Sequence, residues 1–260
     1  MSALILLQAS FWNVLTPRKV LGAAALVAIP ALIGLGTRAI IQTREFDGFL
    51  AYNSIAASTI FGFILTLLAA TYGTAVITQE VEQKTIVYLL TRPVPRWRIL
   101  LTRFAGALAV MMLASGLSTL LLAAAVLGPG RMFHARILHD LLILPAGALA
   151  YGSLFLMLAA LVERPMLLAL AFAFGWEVWL PRMPEAFQKF SIVTYLRVLA
   201  PHPAEGFGVS GVHFLTAFNP VTVSPTEAWI VLSGITLVSL SVAVLAFSRR
   251  EFVPRDDAGA

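Results

Sequence analysis

Long apolar runs without a charged residue dominate the sequence, and they limit the chain to a membrane fold. The clearest runs cover residues 104–127 and 228–247. A helix needs roughly 20 apolar residues to cross a bilayer core of about 30 Å. Over the whole chain 59% of the residues are apolar and 12% are charged, with a mean hydropathy of +0.88. Soluble domains are about 25% charged, so we expect an integral membrane protein.

The apolar runs predict an all-α fold with six transmembrane helices in a single domain over residues 1–260. The predicted spans are residues 20–41, 55–78, 104–127, 141–162, 166–180 and 228–247. The fifth span reaches only roughly 22 Å at ~1.5 Å per residue. We therefore expect it to stop early and to continue as short or re-entrant helices on the outer side, within residues 181–227. A loose loop on that side is the alternative.

Two further segments flank this core. Residues 3–16 are too short to span, but Leu4, Leu7 and Phe11 share one face, which predicts an interfacial helix that ends at Pro17. Residues 254–260 are predicted to be a disordered tail.

The segment of residues 79–103 is too charged to enter the bilayer. Its charged residues are basic apart from two acids: Lys84, Arg92, Arg96, Arg98 and Arg103 stand against Glu80 and Glu82. A basic residue at the centre of a membrane helix costs roughly 2.5 to 3.5 kcal/mol. Because basic residues near span ends favour the cytoplasmic side, we place this segment and both termini in the cytoplasm.

The same segment has the pattern of a helix, a break and a second helix. Glu80 and Lys84 are spaced for an i, i+4 ion pair, and Pro93 and Pro95 interrupt the pattern. A second apolar face follows at Trp97, Leu100, Leu101 and Phe104. This pattern predicts a helix on the membrane surface that turns into the third span.

These residues resemble the cytoplasmic loop of type-2 ATP-binding-cassette (ABC) exporter permeases. The positions that match that loop are Glu80, Thr85, Leu89, Leu90, Thr91, Arg92, Pro93, Val94 and Arg96. Lys84 stands where glycine is common, and Pro95 replaces a serine. In the family this loop is the coupling helix, which sits in a groove of a separate ATPase subunit. The resemblance implies that the ATPase-coupling residues are Glu80, Glu82, Thr85, Leu89, Leu90, Arg92, Pro93 and Arg96. A basic cytoplasmic loop without a partner is the alternative.

The resemblance implies the membrane subunit of an ATP-driven exporter in a bacterial-type cytoplasmic (inner) membrane. The implied partners are ABC ATPase subunits, which would hold the ATP and Mg, a second permease copy or a paralogue, and membrane lipid. Two rival functions remain open. One is a permease-like scaffold whose ATPase drives a mechanical or envelope-maturation event, and the other is a channel or carrier that works without ATP.

The sequence shows no catalytic, metal-binding or cofactor-binding set of residues. A phosphate-binding loop ends in Gly-Lys-Ser/Thr, and none of the lysines (Lys19, Lys84 and Lys189) follows a glycine. The four histidines are scattered without ligand-like spacing, so we interpret them as surface or interfacial residues. Asp140 and Glu177 fall near predicted outer ends of spans, which disfavours a proton relay. The basic residues cluster beside spans, so we expect no nucleic-acid partner.

A stripe on the second predicted span is the candidate for a substrate cavity. Thr59, Phe63, Thr66 and Thr74 fall within about 80° of one another at ~100° per residue. This mixture of hydroxyl and aromatic groups predicts the lining of a polar cavity. The alternative is that the hydroxyls bond to their own backbone or to a neighbouring helix.

Overall fold

The described part of the chain is helical throughout. A computed structural model describes residues 17–40, 47–82, 95–202 and 223–249, and every regular element in these ranges is a helix. Five helices in these ranges are long and apolar enough to cross a membrane. The chain is thus an all-helical multi-pass protein, while the six-span layout stays a prediction.

The described residues contain five long helices. They are α1 (Pro17–Ile40), α2 (Gly48–Ile55) with its continuation α3 (Leu65–Glu82), α4 (Arg96–Leu127), α5 (Ala135–Leu161) and the last helix of the described chain (Pro225–Arg249). A first π segment (Ala56–Ile64) joins α2 to α3 without a break. The helix begins earlier than residue 55 because Asp47 caps it and accepts hydrogen bonds from the N–H groups of Phe49 and Leu50.

The helix formed by α2, the first π segment and α3 is the centre of the bundle. Its fully buried side chains include Tyr52, Phe61 and Leu68, and its main neighbour is α5. The two helices approach closely at Gly73, where an added Cβ atom would lie 3.1 Å from the carbonyl oxygen of Gly152. Small residues at such a contact let two membrane helices pack backbone to backbone.

The start of α4 differs from the sequence prediction. We predicted a surface helix that turns into the membrane near residue 104, whereas Arg96–Leu127 is one helix without a break. That part of the prediction is wrong. No proline or glycine lies between Arg96 and Phe104, so nothing interrupts the hydrogen-bond ladder of the helix.

The fifth apolar run forms a short helix in several pieces. They are α6 (Pro165–Ala171), a second π segment (Phe172–Trp176) and α7 (Glu177–Trp179), followed by α8 (Glu185–Gln188) and α9 (Ile192–Leu199). The last long helix (Pro225–Arg249) is α10. This region contains no further long apolar helix within the described residues, so the described chain between α5 and α10 consists of short helices.

The bundle has two ends, which we name after one residue at each. At the Arg96 end, the Nη1 atom of Arg96 lies 3.4 Å from the carbonyl oxygen of Ser248, near the end of α10. At the Asp47 end, Arg38 of α1 donates to the carbonyl oxygen of Ala125 in α4. The described chain therefore starts and finishes at the Arg96 end.

Several predicted segments lie outside the described residues. They are the interfacial helix 3–16, residues 83–94 of the charged segment, residues 203–222 of the outer region and the tail 254–260. These predictions stay untested.

Candidate functional site

Only part of the predicted coupling set is described. The backbone of Glu80 and Glu82 belongs to the last turn of α3, and Arg96 is the first residue of α4. Five members lie outside the described residues: Thr85, Leu89, Leu90, Arg92 and Pro93. The coupling role of all eight residues stays a prediction.

Arg96 has a contact that the sequence pattern did not indicate. Its guanidinium group lies against the carbonyl oxygen of Ser248, which is 152 positions away in the chain. Pro95 caps the start of α4 in an extended conformation. The end of the charged segment thus touches both the first turn of α4 and the last turns of α10.

The hydroxyl groups of the predicted cavity stripe differ in their hydrogen bonding. The hydroxyl groups of Thr59 and Thr74 donate to the backbone oxygens of Ile55 and Ala70, one turn earlier in the chain. Thr66 is buried, and its hydroxyl has no hydrogen-bond partner among the residues that the structure describes. Of the three hydroxyl groups in the stripe, that of Thr66 is therefore the one that does not bond to its own helix.

Phe63 of the same stripe links the two π segments. Its ring meets the ring of Phe174 edge to face, with the centroids 5.4 Å apart. Phe63 belongs to the first π segment and Phe174 to the second. π-turns inside α-helices are frequent at functional sites. The side chains around Phe63 and Phe174 are therefore candidates for a functional site.

Glu177 lies just after the second π segment and is 2% exposed. Its Oε1 atom accepts a hydrogen bond of 2.9 Å from the N–H of Ile192, and its Oε2 atom accepts from the hydroxyl of Ser191 at 2.5 Å. The N–H of Val193 is 3.4 Å from Oε2. These groups form the start of α9, whose first N–H groups have no partner within the helix. A carboxylate at a helix N-terminus is also favoured by the helix dipole.

Arg197, near the other end of α9, reaches the first π segment. Its Nη2 atom lies 3.3 Å from the carbonyl oxygen of Ala57. The side chain is partly buried, and its Nε atom is shielded from solvent. An arginine side chain is effectively always protonated in proteins, so the guanidinium group keeps its positive charge.

Tyr151 of α5 completes the cluster from the opposite side. Its side chain is 0% exposed, and its hydroxyl lies near the carboxyl group of Glu177 and the hydroxyl of Thr66. Neither contact has hydrogen-bond geometry, since the hydroxyl groups of Tyr151 and Thr66 both lack a partner within the described part of the chain. A carboxylate, a guanidinium group and two unpaired hydroxyls thus lie together inside an apolar bundle.

A second buried polar cluster lies at the Asp47 end. Asp140 is 1% exposed, and its Oδ2 atom accepts a hydrogen bond of 2.7 Å from the hydroxyl of Tyr52. The Nε2 atom of His202 is 3.0 Å from the same oxygen, and the side chain of His202 is buried. The prediction that all histidines are surface or interfacial residues is therefore wrong for His202. The prediction failed because His202 contacts Asp140, which is 62 positions away. A contact at that separation leaves no local pattern in the sequence.

An apolar groove of about 420 Å³ opens between α1 and α4, with Tyr72 among its lining residues. The other lining residues include Val20, Ala23, Val27 and Leu117. Groups that can bond to water are scarce along this groove, so its shape and chemistry suit a lipid acyl chain.

The arrangement defines the class of protein first: an all-helical, multi-pass membrane protein with polar groups buried between its spans. A family model described as "ABC-2 family transporter protein" matches residues 3–252. No curated protein matches the sequence. The chain belongs to the ABC-2 transporter family, whose members are membrane permease components of ABC transporters.

Proposed function

We propose that the chain is the permease of an ATP-driven exporter, and that residues 79–103 couple it to a separate ATPase. The observation that carries this proposal is the geometry of the Arg96 end. The charged segment joins α3 to α4 there, and Arg96 also touches α10 at Ser248. A force applied to the segment from outside the membrane would therefore act on three long helices, α3, α4 and α10, at once.

The coupling residues have distinct roles in this proposal. Glu80 and Arg92 form ion pairs with the groove of the ATPase, while Leu89 and Leu90 pack into it. Pro93 stiffens the connection to α4, because a proline ring fixes its own backbone and restricts the residue before it. Closure of the ATPase then moves α3 and α4 together and opens a path at the Asp47 end.

The assembly follows from this mechanism. Two copies of the chain, or one copy and a paralogue, form the membrane core in a bacterial-type cytoplasmic membrane. Two ATPase subunits hold ATP and Mg and dock at the Arg96 end, which faces the cytoplasm together with both termini. The groove between α1 and α4 holds membrane lipid.

Purification in a mild detergent tests the coupling. The Arg92→Glu variant is compared with wild type for the ATPase that accompanies it and for ATP hydrolysis by the complex. We expect a loss of about tenfold in ATPase binding, equivalent to ~1.4 kcal/mol, because the variant reverses a charge in the docking segment. Glu80→Ala should act in the same direction.

Arg131→Glu is the matched control. It makes the same change of charge at an exposed arginine of the opposite end of the bundle. It should keep normal ATPase binding. Equal losses in Arg92→Glu and Arg131→Glu would show that total charge matters, and unchanged binding in both would refute the coupling role.

A scaffold without classical export is the second candidate, and one observation favours it. Thr66 and Thr74 of the predicted cavity stripe are 1% and 2% exposed, so the part of the stripe nearer the Arg96 end is closed within a single chain. Release of a transported compound from vesicles that contain the permease and its ATPase separates the two functions. ATP-dependent release supports export, whereas ATP hydrolysis without any release supports the scaffold.

A further inference from the structure

Helix α9 is short and amphipathic, and it is built into the bundle. Its residues Ile192, Val193, Leu196 and Leu199 are buried. It packs against α5, α10 and the first π segment. An eight-residue helix is marginal in water by itself, so its position depends on these contacts.

Two glycines make room for consecutive side chains of α9. An added Cβ atom at Gly147 would lie 2.8 Å from a methyl carbon of Leu196, and one at Gly62 would lie 3.4 Å from the Nη2 atom of Arg197. Gly147 belongs to α5 and Gly62 to the first π segment. The helix is therefore seated on two different spans through adjacent residues.

Two charges hold the ends of α9. Glu177 binds its first N–H groups, and Arg197 binds the carbonyl oxygen of Ala57. The Arg197 contact ties α9 to the first π segment, and the Glu177 contact ties it to the residue that follows the second. The rings of Phe63 and Phe174 join those two segments. Charged groups inside a membrane domain are costly and usually mark function. Apolar side chains would pack α9 at lower cost, so the two charges point to a contact that must break and re-form.

Thr66 lies on the span against which α9 packs. It follows Gly62 by four residues, which places it roughly 6 Å further along the helix axis toward the Arg96 end. Its hydroxyl and that of Tyr151 are buried without a hydrogen-bond partner among the described residues. Two buried hydroxyl groups thus lie near α9, on the side of the Arg96 end.

We propose that α9 is a movable seal over the buried hydroxyl groups of Thr66 and Tyr151, and that Glu177 and Arg197 are the positioning residues that hold it closed. When the Arg197 contact breaks, α9 lifts from Gly62 and Gly147. Water and the polar part of a transported molecule then reach the two hydroxyls from the Asp47 end. This inference rests on the proposed transport function, in which the two hydroxyl groups line the transport path.

Cysteine labelling tests the seal, because the chain contains no cysteine of its own. Thr66→Cys is combined with Arg197→Met, and its reaction with a membrane-impermeant maleimide is followed in right-side-out and inside-out vesicles. We expect labelling at least about tenfold faster than in Thr66→Cys alone, and only from the side that the Asp47 end faces. Combining Thr66→Cys with Arg197→Lys should keep labelling slow, because lysine retains a positive charge that can bind the same carbonyl oxygen.

Ser118→Cys is the control for the fold. Ser118 is 0% exposed and lies between α4 and α1, where its hydroxyl donates to the carbonyl oxygen of Val27. It should stay unlabelled in the Arg197→Met background. Labelling at Ser118 would show that Arg197 supports the whole bundle, which contradicts a local seal.

Gly62→Leu is a second variant that should release α9 from its closed position. The larger side chain pushes the guanidinium group away from Ala57 and leaves the charge in place. It should accelerate labelling of Thr66→Cys as Arg197→Met does. Slow labelling in both backgrounds would overturn the seal.

The experiment separates this inference from the coupling proposal. Labelling is measured on vesicles without ATP and needs no ATPase. Loss of the coupling assignment would leave the labelling result unchanged, and slow labelling would leave ATPase binding unchanged.

Discussion

The carboxylate of Glu177 and the backbone N–H of Ile192 lie 2.9 Å apart in a buried site. This contact joins the end of the short fifth apolar helix to the start of α9. Because Ser191 donates to the same carboxylate, one side chain fixes the direction in which the chain leaves the fifth helix. The route of the chain at this point therefore depends on an acidic residue and not on apolar packing alone.

Replacing Glu177 should destabilise the protein. In Glu177→Ala the donors at Ser191 and Ile192 lose their acceptor, and hydrogen bonds to charged groups contribute about 1.5 to 3 kcal/mol. We expect a lower apparent melting temperature in detergent, followed by tryptophan fluorescence. Glu163→Gln is the control, since Glu163 is exposed. Equal melting temperatures for Glu177→Ala and wild type would show that the carboxylate does not hold α9.

The cluster around Asp140 should show energetic coupling between two spans. Tyr52 of α2 donates to Asp140 of α5 across 2.7 Å in a buried site. The single variants Tyr52→Phe and Asp140→Leu and the double variant form a mutant cycle, measured by reversible unfolding in detergent. We expect a coupling energy of about 1 to 3 kcal/mol, because the two groups are in direct contact. Additive effects would mean that the hydrogen bond contributes nothing measurable.

The long helices could be predicted because their signal is local. Apolar runs of span length indicate each of them, and the structure extends most of them at their ends. The start of α2 was missed because Tyr52, Asn53 and Ser54 look like loop residues in sequence, although all three are buried.

The buried polar clusters could not be predicted, because their contacts are distant in sequence. Glu177 and Ile192 are 15 positions apart, Asp140 and His202 are 62, and Arg197 and Ala57 are 140. Periodicity places a residue on a face of its own helix but does not say which helix it meets. The sequence carries one local signal of these contacts, a glycine inside an apolar run such as Gly62. It indicates that another segment of the chain packs closely there, but it does not identify that segment.

Alanine at Gly73 should weaken the contact between α3 and α5. The new Cβ atom would lie 3.1 Å from the carbonyl oxygen of Gly152, which is backbone and cannot rotate away. Overpacking of this kind costs about 1 to 3 kcal/mol, so the melting temperature should fall. Gly36→Ala in α1 is the matched control, because no atom lies within 4 Å of its added Cβ. A stable Gly73→Ala protein would show that the two helices separate easily.

Valine at Thr66 distinguishes a structural hydroxyl from one that binds water or a transported molecule. The Thr66 hydroxyl is buried without a partner among the described residues, so its removal should leave stability unchanged or raise it by up to about 1 kcal/mol. If the hydroxyl lines the transport path, Thr66→Val should nevertheless lower ATP-dependent transport by the permease with its ATPase.

Thr74→Val is the comparison for this prediction. Its hydroxyl donates 2.6 Å to the carbonyl oxygen of Ala70 within its own helix, so its loss should leave transport unchanged. A Thr66→Val protein with a lower melting temperature and normal transport would show that the Thr66 hydroxyl stabilises the fold. The cavity assignment would then be wrong.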